Sequence, residues 1–297
     1  MENHSKSVLI ITNPRAGKLK TKKYLSLISN VFIGRGYDVT TRRTRWHRDA
    51  ASIAHSQASK YDLVVCCGGD GTLNEVVSGL MTLPSPPPLG YIPMGTTNDF
   101  ASSLGISRDF IRTARKIIDG TPRKIDIGEM NGRYFTYISS FGAFTESSYS
   151  TPQNAKNILG HMAYVLDGVA HLTNIKPYKM TIETAERTCC GEYLFGAISN
   201  STSIAGLIKL DSSLVDLADG KFEIMLIKLP KTPVQMQKLI NSLILKQFDS
   251  EFIEFFHSSH IKISTETPVS WTLDGEYGDK TTFVEIINRP QALTIII

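Results

Sequence analysis

Apolar and polar stretches alternate along the first third of the chain, and their periods predict strands and helices in turn. Short apolar runs predict strands, and stretches with an apolar residue every three or four positions predict helices. The predicted strands cover 7–12, 37–43, 63–67 and 89–93, and the predicted helices cover 18–34, 49–59, 72–81 and 110–119. Strands that alternate with helices through short loops indicate a parallel, doubly wound α/β sheet.

The rest of the chain shows mainly the pattern of strands. Residues 122–141 and 178–297 predict strands joined by hairpin turns such as Asn131–Arg133, with two helices at 154–172 and 233–246. This pattern favours a β-rich second domain, a sandwich, and the closing run at 290–297 is expected to return to that sheet as its last strand. We therefore predict two domains, at 1–125 and 126–297.

Composition narrows the class of protein. The 297 residues are 41% hydrophobic and 20% charged, with a net charge of +4, which is typical of a soluble globular protein. So mild a charge does not favour nucleic acid as a partner, but it suits an anionic membrane surface or a phosphate ligand. No apolar run approaches the ~20 residues that span a bilayer, and the short polar start is no signal peptide. The expected location is the cytoplasm.

The four cysteines form two adjacent pairs, Cys66–Cys67 and Cys189–Cys190, both in strand-like apolar stretches. Neither a disulfide framework nor a zinc site has this spacing. We expect reduced cysteines in the core of a cytosolic protein.

Three loops rich in glycine and polar residues fall where predicted strands end. They are "NPRAG" (Asn13 to Gly17), "GGDGT" (Gly68 to Thr72) and "PMGTTND" (Pro93 to Asp99). Ligands of open α/β sheets bind at the carboxyl ends of the strands. Three such loops at one edge therefore predict a binding site.

The loop "GGDGT" has the chemistry of a phosphate site. Its glycines suit a turn that needs φ > 0 or a close backbone approach, and backbone N–H groups at the start of the following helix favour an anion. Asp70 adds a negative charge, which is tolerated beside a phosphate when a divalent cation or a proton transfer needs it. The chain has neither G-x-x-x-x-G-K-[ST] nor G-x-G-x-x-G, which argues against a P-loop enzyme or a Rossmann dehydrogenase.

Side chains of the three loops support the same interpretation. Asp70 and Asp99 close equivalent loops on neighbouring strands, so both carboxylates can face one cleft. Thr72 and Thr96 lie close to them in sequence and can add hydroxyls to phosphate oxygens. Asn13 and Asn98 can lock the loops through side-chain to backbone hydrogen bonds.

Two acidic turns lie further along the chain. In "WTLDGEYG" (Trp271 to Gly278), Asp274 and Glu276 are either part of an ordinary hairpin turn or carboxylates able to take a proton from a hydroxyl that attacks a phosphate. In "VDLADGKF" (Val215 to Phe222), the acidic pair indicates a surface turn, with a site for a hard cation as the alternative.

Two groups of basic residues are candidates for contact with anions. One surrounds the end of the second predicted strand and comprises Arg42, Arg43, Arg45, His47 and Arg48. The other lies on a helix and comprises Arg108, Arg112, Arg115 and Lys116. Solvated faces explain most such runs, but the helix group suits docking on anionic lipid, at about 1 kcal/mol per charge near the surface.

Four motifs in this order, "NPRAGK", "GGDGTLNEVVSGL", "IPMGTTNDFA" and "LDGEYG", resemble those of the diacylglycerol kinase catalytic-domain family. The stretches "ESSYSTP" and "GHMAYVLDG" resemble the soluble bacterial enzymes in particular. The Gly-Gly-Asp-Gly-Thr motif alone is shared with sphingosine, ceramide and NAD kinases, whereas the set of four is much more specific.

The resemblance implies an NAD-kinase/diacylglycerol-kinase-like architecture with ATP and Mg²⁺ as co-substrate and cofactor. It implies that Asp70 and Asp99 organise Mg²⁺ and water near the phosphates, and that the base is Glu276, with Asp274 as its neighbour and alternative. It implies a structural Mg²⁺ at Asp216, Asp219 and the carbonyl of Lys221. The residues it implies for ATP are Asn13, Pro14, Arg15, Ala16, Gly17, Thr44, Gly69, Asp70, Gly71, Thr72, Leu73, Asn74, Glu75 and Thr96.

The function predicted from these observations is a lipid kinase that converts diacylglycerol to phosphatidic acid and docks reversibly on the inner face of the membrane. An apolar crevice lined by 139–144 and the predicted helix at 154–172 would admit the acyl chains. The alternatives are another acceptor, either a lipid alcohol (sphingoid, ceramide-like or prenol) or NAD, and a non-catalytic regulator that binds nucleotide or lipid. The oligomeric state is open, with a homodimer as one alternative.

Overall fold

The computed structural model describes residues 5–16, 20–142, 177–204, 208–248 and 250–297. The chain forms two compact units. Unit 1 contains Met1–Ile127, Arg133–Thr136 and Arg289–Ile297, and unit 2 contains Gly128–Gly132 and Tyr137–Asn288. The prediction of an α/β domain followed by a β-rich part is confirmed.

Unit 1 is built on four parallel strands in the order β2-β1-β3-β4. Their bounds are Lys6–Thr12 for β1, Tyr37–Arg43 for β2, Leu63–Gly68 for β3 and Leu89–Pro93 for β4. Because neighbouring strands run in the same direction, the loops that follow β1, β3 and β4 emerge at one edge of the sheet. This order brings the three predicted loops side by side.

Among the described residues of unit 1, three helices connect these strands and two more follow β4. They are α1 (Lys20–Ile33), α2 (Asp49–Gln57), α3 (Asp70–Leu80), α4 (Asp99–Ser103) and α5 (Phe110–Asp119). Helix α3 begins two residues before the predicted start, since Gly69 is its N-cap and Asp70 suits the positive end of the helix dipole. A short 3₁₀ turn, Ala58–Lys60, follows α2.

Both faces of the unit 1 sheet are buried, as parallel sheets require. Along β3, Val65 and Cys67 pack beneath α1 and α5, while the alternate residues Val64 and Cys66 are equally buried on the face of α2 and α3. The cluster beneath α1 and α5 comprises Val8, Ile10, Leu25, Ile28, Phe32, Leu63, Val65, Cys67, Ile92, Met94, Ala114 and Ile117.

All four cysteines are free thiols, as predicted. Cys66 and Cys67 lie in the core, where burial raises the pKa of the Cys67 thiol to about 12. The expectation that the second pair is also in the core is wrong for Cys190, which is exposed, and Cys189 is only partly buried.

Unit 2 consists mainly of antiparallel strands, with one described helix, α6 (Pro233–Ile244). Strands β5 (Pro122–Met130) and β15 (Glu276–Ile296) run through both units. Strand β6 (Arg133–Phe135) belongs to unit 1. The other strands of unit 2 are β7 (Ile138–Gly142), β8 (Tyr178–Thr184), β9 (Thr188–Ser199), β10 (Ser203–Ile204), β11 (Ile208–Lys209), β12 (Phe222–Lys228), β13 (Ile253–Ser258) and β14 (His260–Leu273). A 3₁₀ turn, Ser212–Leu214, follows β11. The hydrogen-bonded order is β13-β12-β9-β7-β14-β15, and β10 and β11 form a separate ribbon.

Strands β7 and β8 occupy the same position between β9 and β14. Gly142, at the end of β7, lies opposite Phe195, and Tyr178, at the start of β8, lies opposite Tyr193. The ring of Phe141 contacts the rings of Tyr178 and Trp271. Strand β7 therefore ends, and β8 begins, at the same position in the sheet. Gly142 has φ 93°, and a Cβ there would collide with the Leu194 carbonyl, so the end of β7 needs glycine.

The closing run does not follow the prediction. Residues 290–297 were expected to return to the sheet of the second domain, but Ile295 and Ile296 pair in parallel with Leu89 and Gly90 of β4. The chain end therefore extends the unit 1 sheet. Several predictions lie outside the described residues: Gly17, the motifs "ESSYSTP" and "GHMAYVLDG", the helix at 154–172, and 143–144 of the crevice. Among the described residues, no helix is long and apolar enough to cross a membrane.

Candidate active site

The loops after β3 and β4 touch each other through two glycines. A Cβ built on Gly95 would lie 2.6 Å from the Cα of Gly69 and 2.7 Å from Oδ1 of Asn98, so no side chain fits there. Two reasons for glycine were expected in the "GGDGT" loop, a positive φ and a close approach of backbone. The close approach is observed, but Gly68, Gly69 and Gly71 have ordinary φ values. Sequence reasoning did not single out Gly95, because its role depends on a neighbouring loop.

The carboxylate of Asp70 reaches the backbone of the neighbouring loop at Asp99. The backbone N–H of Asp99 donates to Oδ2 of Asp70 at 3.1 Å. Burial raises the pKa of the Asp99 carboxyl, and the positive charge of Arg108 partly offsets the rise. Carboxylates that are partly removed from water attract a divalent cation or a proton.

Asn98 and Tyr91 hold the second loop in shape. Oδ1 of Asn98 accepts from the N–H of Gly95 at 3.0 Å, and its Nδ2 donates to the Gly95 carbonyl at 2.8 Å. The fully buried Tyr91 donates its hydroxyl to the same Oδ1 at 3.3 Å. Burial raises the pKa of Tyr91 well above its usual value, and the charge of Asp70 raises it further. This phenol therefore stays a donor, a role the sequence did not reveal because Tyr91 fits an apolar strand.

The loop after β1 is tied to α3. Nδ2 of Asn13 donates to the hydroxyl of Thr72 at 3.2 Å, and its Oδ1 accepts from the N–H of Arg15 at 2.9 Å. The predicted locking by Asn13 and Asn98 is therefore observed. Pro14 and Ala16 lie in the same turn, and Thr44 follows β2 with its N–H bonded to the carbonyl of Thr12 at 2.9 Å.

Three residues of α3 that the resemblance assigned to ATP make contacts within the protein. Leu73 is fully buried, and its N–H donates to Gly69. Asn74 donates to the carbonyl of Tyr134 at 3.0 Å. The carboxylate of Glu75 accepts from the N–H groups of Arg48 and Ala50 at 2.8 and 3.1 Å. Gly71 lies in the first turn of α3, and the exposed Thr96 lies in the loop after β4.

The acidic turn of unit 2 separates its two carboxylates. Asp274 and Gly275 form the two-residue turn between β14 and β15, with φ of 50° and 83°. Oδ1 of the buried Asp274 accepts from the N–H groups of Tyr137 and Ile138 at 3.0 and 3.1 Å, whereas Glu276 is exposed. Asp274 thus holds β7 against the turn, and Glu276 faces water.

The residues predicted to bind a structural metal form two turns closed by side-chain to backbone hydrogen bonds. Asp216 accepts from the N–H of Ala218 at 3.1 Å, and Asp219 accepts from the N–H of Lys221 at 2.9 Å. Both carboxylates are exposed, and no group of three acidic, His or Cys side chains that could hold a metal occurs among the described residues. The observed contacts are those of surface turns, so we derive no step through a metal here.

Comparison with known proteins supports the motif analysis. Residues 7–130 match the family model described as the diacylglycerol kinase catalytic domain. A diacylglycerol kinase of Bacillus subtilis (strain 168) is 37% identical over 277 residues, which is 92% of this chain and 90% of the relative. One from Staphylococcus epidermidis is 35% identical over 278 residues, 93% and 87% of the two chains.

A solved structure agrees with these relatives. A diacylglycerol kinase crystal structure from Bacillus anthracis superposes with a TM-score of 0.78 at 26% identity, covering 98% of this chain and 96% of that one. Motifs, site geometry and relatives therefore lead to one conclusion: the chain belongs to the diacylglycerol kinase family.

Proposed function

We propose that this chain transfers the γ-phosphate of ATP to the hydroxyl of diacylglycerol and so produces phosphatidic acid. The observation that carries the proposal is the contact between Asp70 and Asp99 across two loops that meet at glycines. A protein that only binds a nucleotide has no need of two carboxylates beside its phosphates. The family relationship supplies the acceptor.

The loops after β1 and β3 are proposed to hold the phosphates. The N-terminus of α3 presents backbone N–H groups, which favour an anion. Gly69 has no side chain, so the loop after β4 can approach it closely. A Mg²⁺ ion carried by ATP would neutralise phosphate charge. The residues fit it, because the Asp70 carboxylate reaches the backbone of Asp99 and the Asp99 carboxyl is partly buried, so both could supply oxygen ligands.

The proposed reaction is a direct displacement. The acceptor hydroxyl oxygen forms a bond to the γ-phosphorus, the bond from that phosphorus to the bridging oxygen breaks, and ADP leaves with the electron pair. The hydroxyl proton passes to a carboxylate, for which we propose Glu276. Its neighbour Asp274 is already occupied by two backbone N–H groups, so we assign it the role of holding the turn.

Reaction and acceptor can be tested together. We expect labelled phosphate to move from ATP to dioleoylglycerol in mixed micelles, and we expect EDTA to abolish the transfer. Sphingosine, ceramide, a prenol and NAD serve as competing acceptors in the same assay. Faster transfer to one of these compounds would identify it as the acceptor in place of diacylglycerol. Binding of ATP without transfer to any of them would indicate a non-catalytic regulator.

The contact between the loops gives a sharper test of site geometry. We expect Gly95→Ala to lower kcat/KM for ATP by at least about tenfold, because the new Cβ forces the loops of Asp70 and Asp99 apart and small misplacements are costly in phosphate transfer. The measurement is steady-state kinetics together with the thermal unfolding midpoint. Gly34→Ala, at the end of α1, is the control, and equal kinetics in the two variants would contradict this role for Gly95.

We also propose that the protein docks on membranes through basic side chains. Arg112, Arg115 and Lys116 of α5 are exposed and suit anionic lipid. Arg108 is less suitable, since its Nη2 donates to the Thr97 carbonyl at 3.1 Å and its charge lowers the pKa of Asp99. A test of docking on α5 should therefore alter Arg112 and Arg115 and leave Arg108 intact.

A further inference from the structure

The segment between β2 and α2, residues 42–48, presents a tryptophan among arginines. We call it the Trp46 loop. Trp46 is 63% exposed, the largest exposure of any Phe, Tyr or Trp among the described residues. Arg43, Arg45 and Arg48 are exposed beside it. An exposed tryptophan is uncommon, because tryptophan is highly buried on average in folded proteins.

These side chains have no partners within the described ranges. Arg45 and Arg48 form hydrogen bonds only through backbone groups, and the Arg43 guanidinium and the Trp46 ring form no hydrogen bond, ion pair or ring contact. Arg42 differs, because its side chain is bonded to Gln57 and to the Thr41 carbonyl. The guanidinium groups of Arg43, Arg45 and Arg48 and the Trp46 indole are therefore available to bind a partner outside this protein.

The backbone of the loop is nevertheless held firmly. Oδ2 of Asp49 accepts from the N–H of Arg45 at 2.7 Å, and Glu75 accepts from Arg48 and Ala50. The carboxylates of both acids accept from backbone N–H groups. Asp49 is buried, and the Glu75 side chain is only 18% exposed. They consequently hold the loop in place without pairing with its guanidinium groups.

We propose that the Trp46 loop docks this protein on an anionic lipid surface, with the indole in the interfacial layer and Arg43, Arg45 and Arg48 on lipid phosphates. Tryptophan concentrates at membrane–water interfaces, where one part of its ring is apolar and the other is wet. Each arginine near the surface strengthens binding about fivefold. The inference rests on the proposed function, whose acceptor resides in a bilayer, and it adds a contact site distinct from α5.

Intrinsic fluorescence tests the proposal directly, because the chain has two tryptophans and they differ in environment. Trp46 is exposed, whereas Trp271 is 1% exposed. We expect the emission of the full chain to shift to shorter wavelength with vesicles of phosphatidylcholine containing about 30 mol% phosphatidylglycerol, with no nucleotide present. Trp46→Phe should remove the shift, and pure phosphatidylcholine should produce almost none.

Charge variants measure the contribution of the arginines. Arg43→Gln with Arg45→Gln is expected to weaken co-sedimentation with the anionic vesicles by on the order of tenfold or more. Lys179→Gln with Lys280→Gln removes the same charge from exposed positions of unit 2 and is expected to leave binding within about twofold. Equal weakening by both pairs would overturn the proposal in favour of non-specific attraction. Quenching of Trp46 by ATP alone, with no response to vesicles, would overturn it in favour of a nucleotide contact.

The same proteins separate this proposal from the proposed function. Docking is measured without ATP or acceptor, so an inactive chain that still shows the Trp46 shift would refute the kinase assignment alone. If the chain is active, the arginine pair should slow phosphorylation of diacylglycerol in anionic vesicles but leave a short-chain acceptor in detergent unaffected. Equal loss on both acceptors would overturn a docking role.

Discussion

Replacing Asp70 with asparagine is expected to lower turnover by at least about 100-fold, on the order of 3 kcal/mol of transition-state stabilisation. The asparagine keeps an oxygen that can accept from the N–H of Asp99, the contact seen at 3.1 Å, so the loops should stay together. Only the negative charge beside the proposed phosphate site is lost. Phosphate transfer to dioleoylglycerol at saturating ATP measures the effect.

The matched control for this variant is Asp38→Asn. Asp38 is an exposed residue of β2, and its replacement removes the same charge from the same unit. Both variants should unfold at the wild-type temperature. Turnover of Asp70→Asn near that of the control would remove the Asp70 carboxylate from the chemical step and leave it a structural role in the contact with Asp99.

Loss of the Glu276 carboxylate is expected to have the second large effect, again at least about 100-fold in turnover if it receives the hydroxyl proton. Glu276→Gln keeps the size of an exposed side chain, so stability should not change. Glu266→Gln, at another exposed glutamate of the β14–β15 pair, is the control. Full turnover in Glu276→Gln would return the role of base to Asp274.

The neighbouring aspartate should respond in a different measurement. Asp274→Ala leaves the buried N–H groups of Tyr137 and Ile138 without the acceptor seen at 3.0 and 3.1 Å and places alanine at φ 50°. We expect the free energy of unfolding to fall by about 2–4 kcal/mol, measured by urea denaturation. An unchanged free energy of unfolding would argue against this supporting role for Asp274.

Much of unit 1 was predictable because its signals are local. Strands β2 and β4 match their predicted bounds, and the meeting of Asp70 and Asp99 followed from strands that end side by side. The contact of Gly69 with Gly95 was not predictable, because two loops distant in sequence must be positioned before either glycine is seen to lack space for a side chain.

Long-range pairing explains the main error. The apolar run at 290–297 resembles the strands that precede it, and nothing local shows that Ile295 and Ile296 pair with β4. The difference between Asp274 and Glu276 was hidden for a similar reason. Two carboxylates in one turn look alike in sequence, and only the approach of the Tyr137 N–H, far earlier in the chain, distinguishes them.

The position shared by β7 and β8 has a consequence for insertions and deletions. Phe195 and Tyr193, which lie opposite Gly142 and Tyr178, are two residues apart on β9, a separation of about 7 Å. Because β7 and β8 each pair with β9 and β14 independently, a change in the number of residues between Gly142 and Tyr178 is expected to shift no strand register.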